Sequence, residues 1–122
     1  MTAEAPEAIH GRVQAAFNAG DLEGLVALYE PDAQMMTPDG VAVGTEAIRE
    51  NWAFLLSLGA TMELTTRYAM RNEDLALLRN DYRVTGPDLD LTGSTAEVAR
   101  RQPDGTWRYV IDHPFGASQL DA

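Results

Sequence analysis

Apolar residues recur at helical spacing through the first half of the chain and at alternate positions through much of the second. Between Glu7 and Ala19, the apolar positions Ile9, Val13, Ala16 and Phe17 share one helical face, and Gly20 stands where a helix commonly stops. Asp21 can cap a second helix with the apolar face Leu22, Leu25, Val26 and Tyr29, which Pro31 prevents from continuing. A short extended piece, Ala33 to Thr37, runs into Pro38-Asp39-Gly40 and returns as Val41-Ala42-Val43, the pattern of a small hairpin. Thr45, with Glu46 in the first turn, opens a third helix whose stripe is Ile48, Trp52, Leu55 and Leu56, ending near Gly59.

Beyond Gly59 the period shortens to two. Met62, Leu64, Thr66, Tyr68 and Met70 alternate with polar residues, as on a strand with one covered face. After the turn Asn72-Glu73-Asp74, a strand from Leu75 to Thr85 places Ala76, Leu78, Asn80, Tyr82 and Val84 on one side. A long run from Leu89 to Gln102 carries Gly93, where a bulge would let it bend, and Pro103-Asp104-Gly105 returns the chain into Thr106 to His113. Helices first and a meander second predict an α+β domain, with three N-terminal helices packed on one face of a curved, mainly antiparallel sheet. No repeat, linker or low-complexity tract divides the chain, so residues 1–122 are expected to form a single domain.

Composition narrows the chemistry. There is no cysteine, and all nine basic residues are arginine, which excludes thiol nucleophiles, cysteine-ligated metals and lysine Schiff bases. Nineteen acidic residues give a net charge of -10, which would repel nucleic acid and anionic membrane surfaces. The N-terminal segment has no basic flank and no apolar run approaches a membrane span, so a cytoplasmic location is expected. Only His10 and His113 are histidines, far apart in sequence, and no phosphate-cradling loop or nucleophile elbow occurs; no metal and no cofactor are expected.

Four strings carry a resemblance: Phe17-Asn18-Ala19-Gly20-Asp21-Leu22-Glu23-Gly24-Leu25, Tyr29-Glu30-Pro31-Asp32-Ala33, Gly44-Thr45-Glu46-Ala47-Ile48-Arg49, and Arg100 to Arg108. In this order they resemble the nuclear transport factor 2-like superfamily, particularly its SnoaL-like and ketosteroid isomerase-like bacterial members. The resemblance implies a cone-like fold in which the helices and the concave side of the sheet enclose an apolar pocket, and a homodimer formed through the sheet. Ketosteroid isomerase works with an aspartate base and with a tyrosine and a protonated aspartate that stabilise the oxyanion. By the resemblance these three positions fall at Thr37, Val13 and, loosely, Glu97. A threonine cannot act as a base near neutral pH and valine has no hydroxyl, which argues against that mechanism.

The remaining candidates for proton transfer are Asp112 and His113 at the end of the last strand, and Glu97 in the strand before it. Neighbours on a strand point to opposite faces, so at most one of Asp112 and His113 looks into a pocket unless Pro114 distorts the strand. Alternation along Trp107, Tyr109, Ile111 and His113 would place His113 with the large rings; alternatively Asp112 caps the strand or pairs with an arginine, and His113 packs at an interface. Glu97 is either a buried acid of raised pKa or a cross-strand partner of Arg79, Arg83 or Arg108. Trp52, Tyr82, Tyr68, Asn80, Phe17 and Met36 are the candidates for contact with a ligand, as rings and polar tips converging on one cavity. His10, between polar neighbours, is expected to be solvated. Two functions remain open: cofactor-independent acid–base chemistry of the isomerase, cyclase or dehydratase type on a small apolar carbonyl compound, or a non-catalytic ligand-binding or dimerisation module.

Overall fold

The computed structural model of the chain describes residues 4–116. Helices α1 (Ala8–Asn18), α2 (Leu22–Val26) and α3 (Thr45–Leu56) pack on one face of a curved sheet built from β1 (Tyr29–Thr37), β2 (Gly40–Val43), β3 (Thr61–Asn72), β4 (Leu75–Gly86), β5 (Leu89–Ser94), β6 (Ala96–Arg101) and β7 (Trp107–His113). The strands run in the order β2-β1-β7-β6-β4-β3, with β5 paired to β4 beyond β6. All neighbours are antiparallel except β1 and β7, which return the end of the chain to its beginning.

Local chemistry sets most of these boundaries. Asp21 caps α2 by accepting the Gly24 N–H at 2.9 Å, and α1 stops before Gly20, whose φ of 68° suits glycine. The cap of α3 is Gly44 rather than Thr45, with φ 89°. Tyr29 belongs to β1 and not to the second helix: α2 ends at Val26, and Pro31 lies in the stretch where the β1–β7 register is irregular, so its missing N–H breaks no ladder bond. The long run after Leu89 divides at Thr95 instead of bending at Gly93, because β5 and β6 pair with different parts of β4. Gly93 has another use: it lies opposite Tyr82, and a Cβ there would come within 2.4 Å of the Tyr82 hydroxyl, so the ring covers the glycine.

Two bulges reorient the later parts of β3 and β7. The β3–β4 register skips Arg67, and the β6–β7 register skips Val110. One extra residue sends every later side chain to the opposite face. Tyr68 and Met70 therefore leave the face of Met62 and Leu64 and become exposed, with the Tyr68 ring against the Arg79 guanidinium (5.7 Å). In β7, Trp107 and Tyr109 are buried, Ile111 turns outward, and Asp112 takes the inward position. The core is closed by Ile9, Leu25, Met35, Ile48 and Leu78, all essentially inaccessible. No helix among the described residues is long and apolar enough to cross a membrane.

Candidate functional site

A cavity of about 270 Å³ opens between the helices and the concave face of the sheet. Val13 and Phe17 of α1 and Trp52 and Leu55 of α3 form its roof, because the helical stripe that packs against the sheet also faces this gap. Asn80, Tyr82 and Val84, alternate residues of β4, form the floor, beside Glu97 of β6 and Tyr109 and Asp112 of β7. Met36, Thr37, Pro38, Leu58, Leu89, Leu91 and Phe115 also line it.

Of the nine residues singled out as site candidates, seven line this cavity: Phe17, Met36, Trp52, Asn80, Tyr82, Glu97 and Asp112. Two do not. Tyr68 is carried outward by the bulge at Arg67, and His113, one residue past Asp112, faces away and lays its ring edge-on to Phe115 at 4.8 Å. The outcome is the reverse of the alternation drawn through Trp107, Tyr109 and Ile111, since the bulge at Val110 exchanges the two faces.

Asp112 is the centre of a buried polar chain. Its Oδ2 accepts a hydrogen bond from Tyr29 Oη at 2.6 Å, and Tyr29 Oη accepts one from Trp52 Nε1 at 3.2 Å. The partner of Asp112 is thus a phenol and not an arginine. Across the ladder it faces Glu97, whose carboxylate accepts the Thr95 hydroxyl (2.8 Å to Oε2). Glu97 does not pair with Arg79, Arg83 or Arg108 either; the nearest cation-capable group is His10 Nε2, 3.6 Å away. His10 is buried rather than solvated, held by Thr66 Oγ1 at 3.0 Å from Nδ1 and stacked on Tyr109 at 6.2 Å. The Asn80 carbonyl accepts the Thr95 N–H at 2.8 Å and the Asn80 N–H donates to the Thr95 hydroxyl at 3.1 Å, while the Asn80 Oδ1 is buried and has no hydrogen-bond partner among the described residues.

Burial in this apolar setting pushes the Asp112 carboxyl up to about 7; the neighbouring Glu97 charge adds to the rise, and the Tyr29 hydrogen bond opposes it. Burial likewise drives Tyr29 and Tyr109 well above the ordinary tyrosine range, with the Asp112 charge contributing to both and Glu97 to Tyr109. The arrangement thus holds a carboxyl poised to exchange a proton near neutral pH, between two phenols that stay neutral.

The profile of the SnoaL-like domain family matches residues 11–113, which span both walls of this cavity. The chain belongs to the SnoaL-like family. Solved structures share the fold of its nuclear transport factor 2-like superfamily. One from Thiobacillus denitrificans, provisionally described as a calcium/calmodulin-dependent protein kinase type II association domain, is 22% identical, with TM-score 0.76 over 93% of this chain and 95% of that one. A ketosteroid isomerase-like protein from Erwinia carotovora atroseptica is 20% identical, with TM-score 0.71 over 88% and 90%. A protein of the same superfamily from Streptomyces avermitilis, provisionally described as a dehydratase, is 17% identical, with TM-score 0.72 over 87% and 90%. At these identities the likeness concerns the SnoaL-like fold; activity must be argued from the cavity.

Thr95 and His10 are partners that sequence reasoning did not assign to the site, and the hydrogen bond of Tyr29 to Asp112 is one that it did not foresee. Their roles depend on the parallel β1–β7 pairing and on the break at Thr95, neither of which leaves a local signal.

Proposed function

We propose that the cavity binds a small apolar carbonyl compound and that Asp112 exchanges a proton with it, in cofactor-independent chemistry of the isomerase or dehydratase kind. The observation that carries this reading is a carboxyl of raised pKa facing a mostly apolar cavity. The size suits a small ring compound: a closed cavity of about 150 Å³ holds a benzene, so this space of about 270 Å³ accommodates a ring with a short side chain. Val13 and Thr37 both line the cavity, so the positions that resemblance assigns to the ketosteroid isomerase tyrosine and base are present in space but filled by residues that cannot do that chemistry. Trp52 and Tyr82 would hold the ring, and the Tyr82 hydroxyl would meet a carbonyl oxygen.

Thermal-shift screening against one-ring aromatic ketones tests the reading. A binder is expected to raise the wild-type midpoint by a few degrees at millimolar ligand. Solvent-deuterium exchange at the carbon beside the carbonyl, followed by NMR, is expected in the wild type and at least about tenfold slower in Asp112→Asn. Exchange at equal rates in both would remove Asp112 from the reaction.

A second reading, a module that pairs with a copy of itself, is favoured by the outer face of the sheet. Met70, Leu77, Val98, Ile111, Gln34 and Val43 are successive cross-strand partners, forming one row over six strands. Met70, Leu77, Ile111 and Val43 are exposed, and such a stripe is costly to leave in water. Light scattering is expected to give a dimer mass for the wild type and a monomer mass for Leu77→Arg. A monomeric wild type would overturn the pairing.

A further inference from the structure

We propose that the ligand of this cavity carries a cationic group, a protonated amine on an apolar ring-sized body. This rests on the reading of the cavity as the ligand site and adds the charge class of what it takes.

The lining is one-signed. Two carboxyls, Asp112 and Glu97, face the space, and none of the described residues that line it is arginine or histidine. In a chain with nine arginines that imbalance decides which ligand charge can be accommodated: an organic anion would meet two buried acids and no cation, at a large desolvation cost.

Hydrogen-bonding capacity points the same way. Three of the wall's buried donors are used within the protein: Tyr29 O–H donates to Asp112, Trp52 N–H to Tyr29, and Thr95 O–H to Glu97, which leaves the neutral hydroxyls of Tyr82 and Tyr109 as lining donors. Two charged or amide acceptors are not used. Asn80, 2% exposed, leaves Oδ1 without a partner among the described residues, and Asp112 uses Oδ2 for Tyr29, leaving its second oxygen for a ligand. A buried acceptor left unsatisfied is costly, and a donor arriving with the ligand removes that cost. An ammonium supplies up to three donors and no acceptor. The rings of Trp52, Tyr29 and Tyr82 add faces on which a cation is stabilised.

The charge on Asp112 then becomes linked to binding. The titratable groups around it are Glu97 on β6, Tyr29 on β1 and Tyr109 on β7; His10 of α1 reaches the site through Glu97 and through its stack on Tyr109, and α3 presents the neutral indole of Trp52. A cation favours the ionised carboxylate, so binding expels the Asp112 proton at pH values where the free protein holds it.

Calorimetry with three isosteres tests the inference: phenethylamine, phenethyl alcohol and phenylacetate. Phenethylamine is expected to bind at least about tenfold more tightly than the alcohol at pH 8, and phenylacetate not measurably. Amine affinity is expected to rise between about pH 6 and 8 while alcohol affinity stays constant. Asp112→Asn is expected to reduce the amine to the affinity of the alcohol. Should that variant fail to fold, the pH dependence in the wild type carries the same information. Equal binding of amine and alcohol, or tightest binding of phenylacetate, overturns the cationic ligand while leaving the cavity as a ligand site. Failure of all three, together with failure of the aromatic ketones, overturns both.

Discussion

Asp112→Asn is expected to remove a loss of stability that the wild type suffers as pH rises from about 4 to about 7. The carboxyl titrates near 3.8 in the unfolded chain and is raised to about 7 in the folded one. Below that interval both states hold the proton and the residue contributes nothing to pH dependence. Within it the unfolded chain has released the proton while the folded protein keeps it, so the folded state binds more protons and its stability falls with rising pH. Above the interval both are ionised and the loss is complete, at a few kcal/mol given about 1.4 kcal/mol per pKa unit. An amide at this position keeps an oxygen for the Tyr29 hydroxyl and carries no charge to bury. The stability of the variant relative to wild type should therefore climb through the interval and level off by pH 8, read from urea unfolding at a series of pH values. Taking the difference between the two proteins cancels the carboxyls held low, such as Glu23 beside Arg49 and Asp104 bonded to Thr106, whose slopes run the other way. Glu97→Gln should show a smaller version of the effect, since it removes the secondary cause of the Asp112 shift and leaves burial in place. A difference independent of pH would mean that Asp112 does not titrate in this range.

That prediction depends on an orientation hidden in the sequence. Alternation along β4 is unbroken where it faces the cavity, so Leu78, Asn80, Tyr82 and Val84 could be assigned to one face from the residues alone, and the structure has them there. The helical stripes placed Phe17 and Trp52 correctly for the same reason: an uninterrupted period propagates. In β3 and β7 the period is interrupted at Arg67 and Val110, residues with none of the glycine or proline signals that mark a bulge, and every later side chain changes face. Tyr68 and His113 were lost from the site in this way, and Asp112 was moved into it. His10 was misjudged for a different reason. Its neighbours Gly11 and Arg12 are exposed, yet position 10 follows Ile9 on the buried side of α1, and its partners Thr66 and Glu97 lie 56 and 87 positions along the chain. Polar contacts between residues so distant leave no trace in a window of local pattern, whereas the apolar periods that build the fold do.

Trp52→Ala is expected to lower stability by about 3–5 kcal/mol, the range for removing a large buried aromatic. The indole is 6% exposed, meets Phe17 edge-on at 5.9 Å, and donates its N–H to Tyr29. Truncation removes all three contributions, and the space it leaves is continuous with the existing cavity, so the surrounding side chains cannot collapse to fill it. Trp52→Phe separates the terms: most of the ring contact remains, and the principal loss is the donor to Tyr29 Oη, for an expected cost of about 1–2 kcal/mol. Urea midpoints at an unchanged denaturant slope would report both costs directly. The same pair of variants bears on the acid. Burial is the largest cause of the raised Asp112 pKa, and opening the roof admits water to the carboxyl. Trp52→Ala should therefore also shrink the pH-dependent loss of stability described for Asp112, while Trp52→Phe, which keeps the roof closed, should preserve most of it. If the alanine variant were no less stable than the phenylalanine one, and its pH profile were that of the wild type, the indole would be neither packing the cavity wall nor keeping water from Asp112.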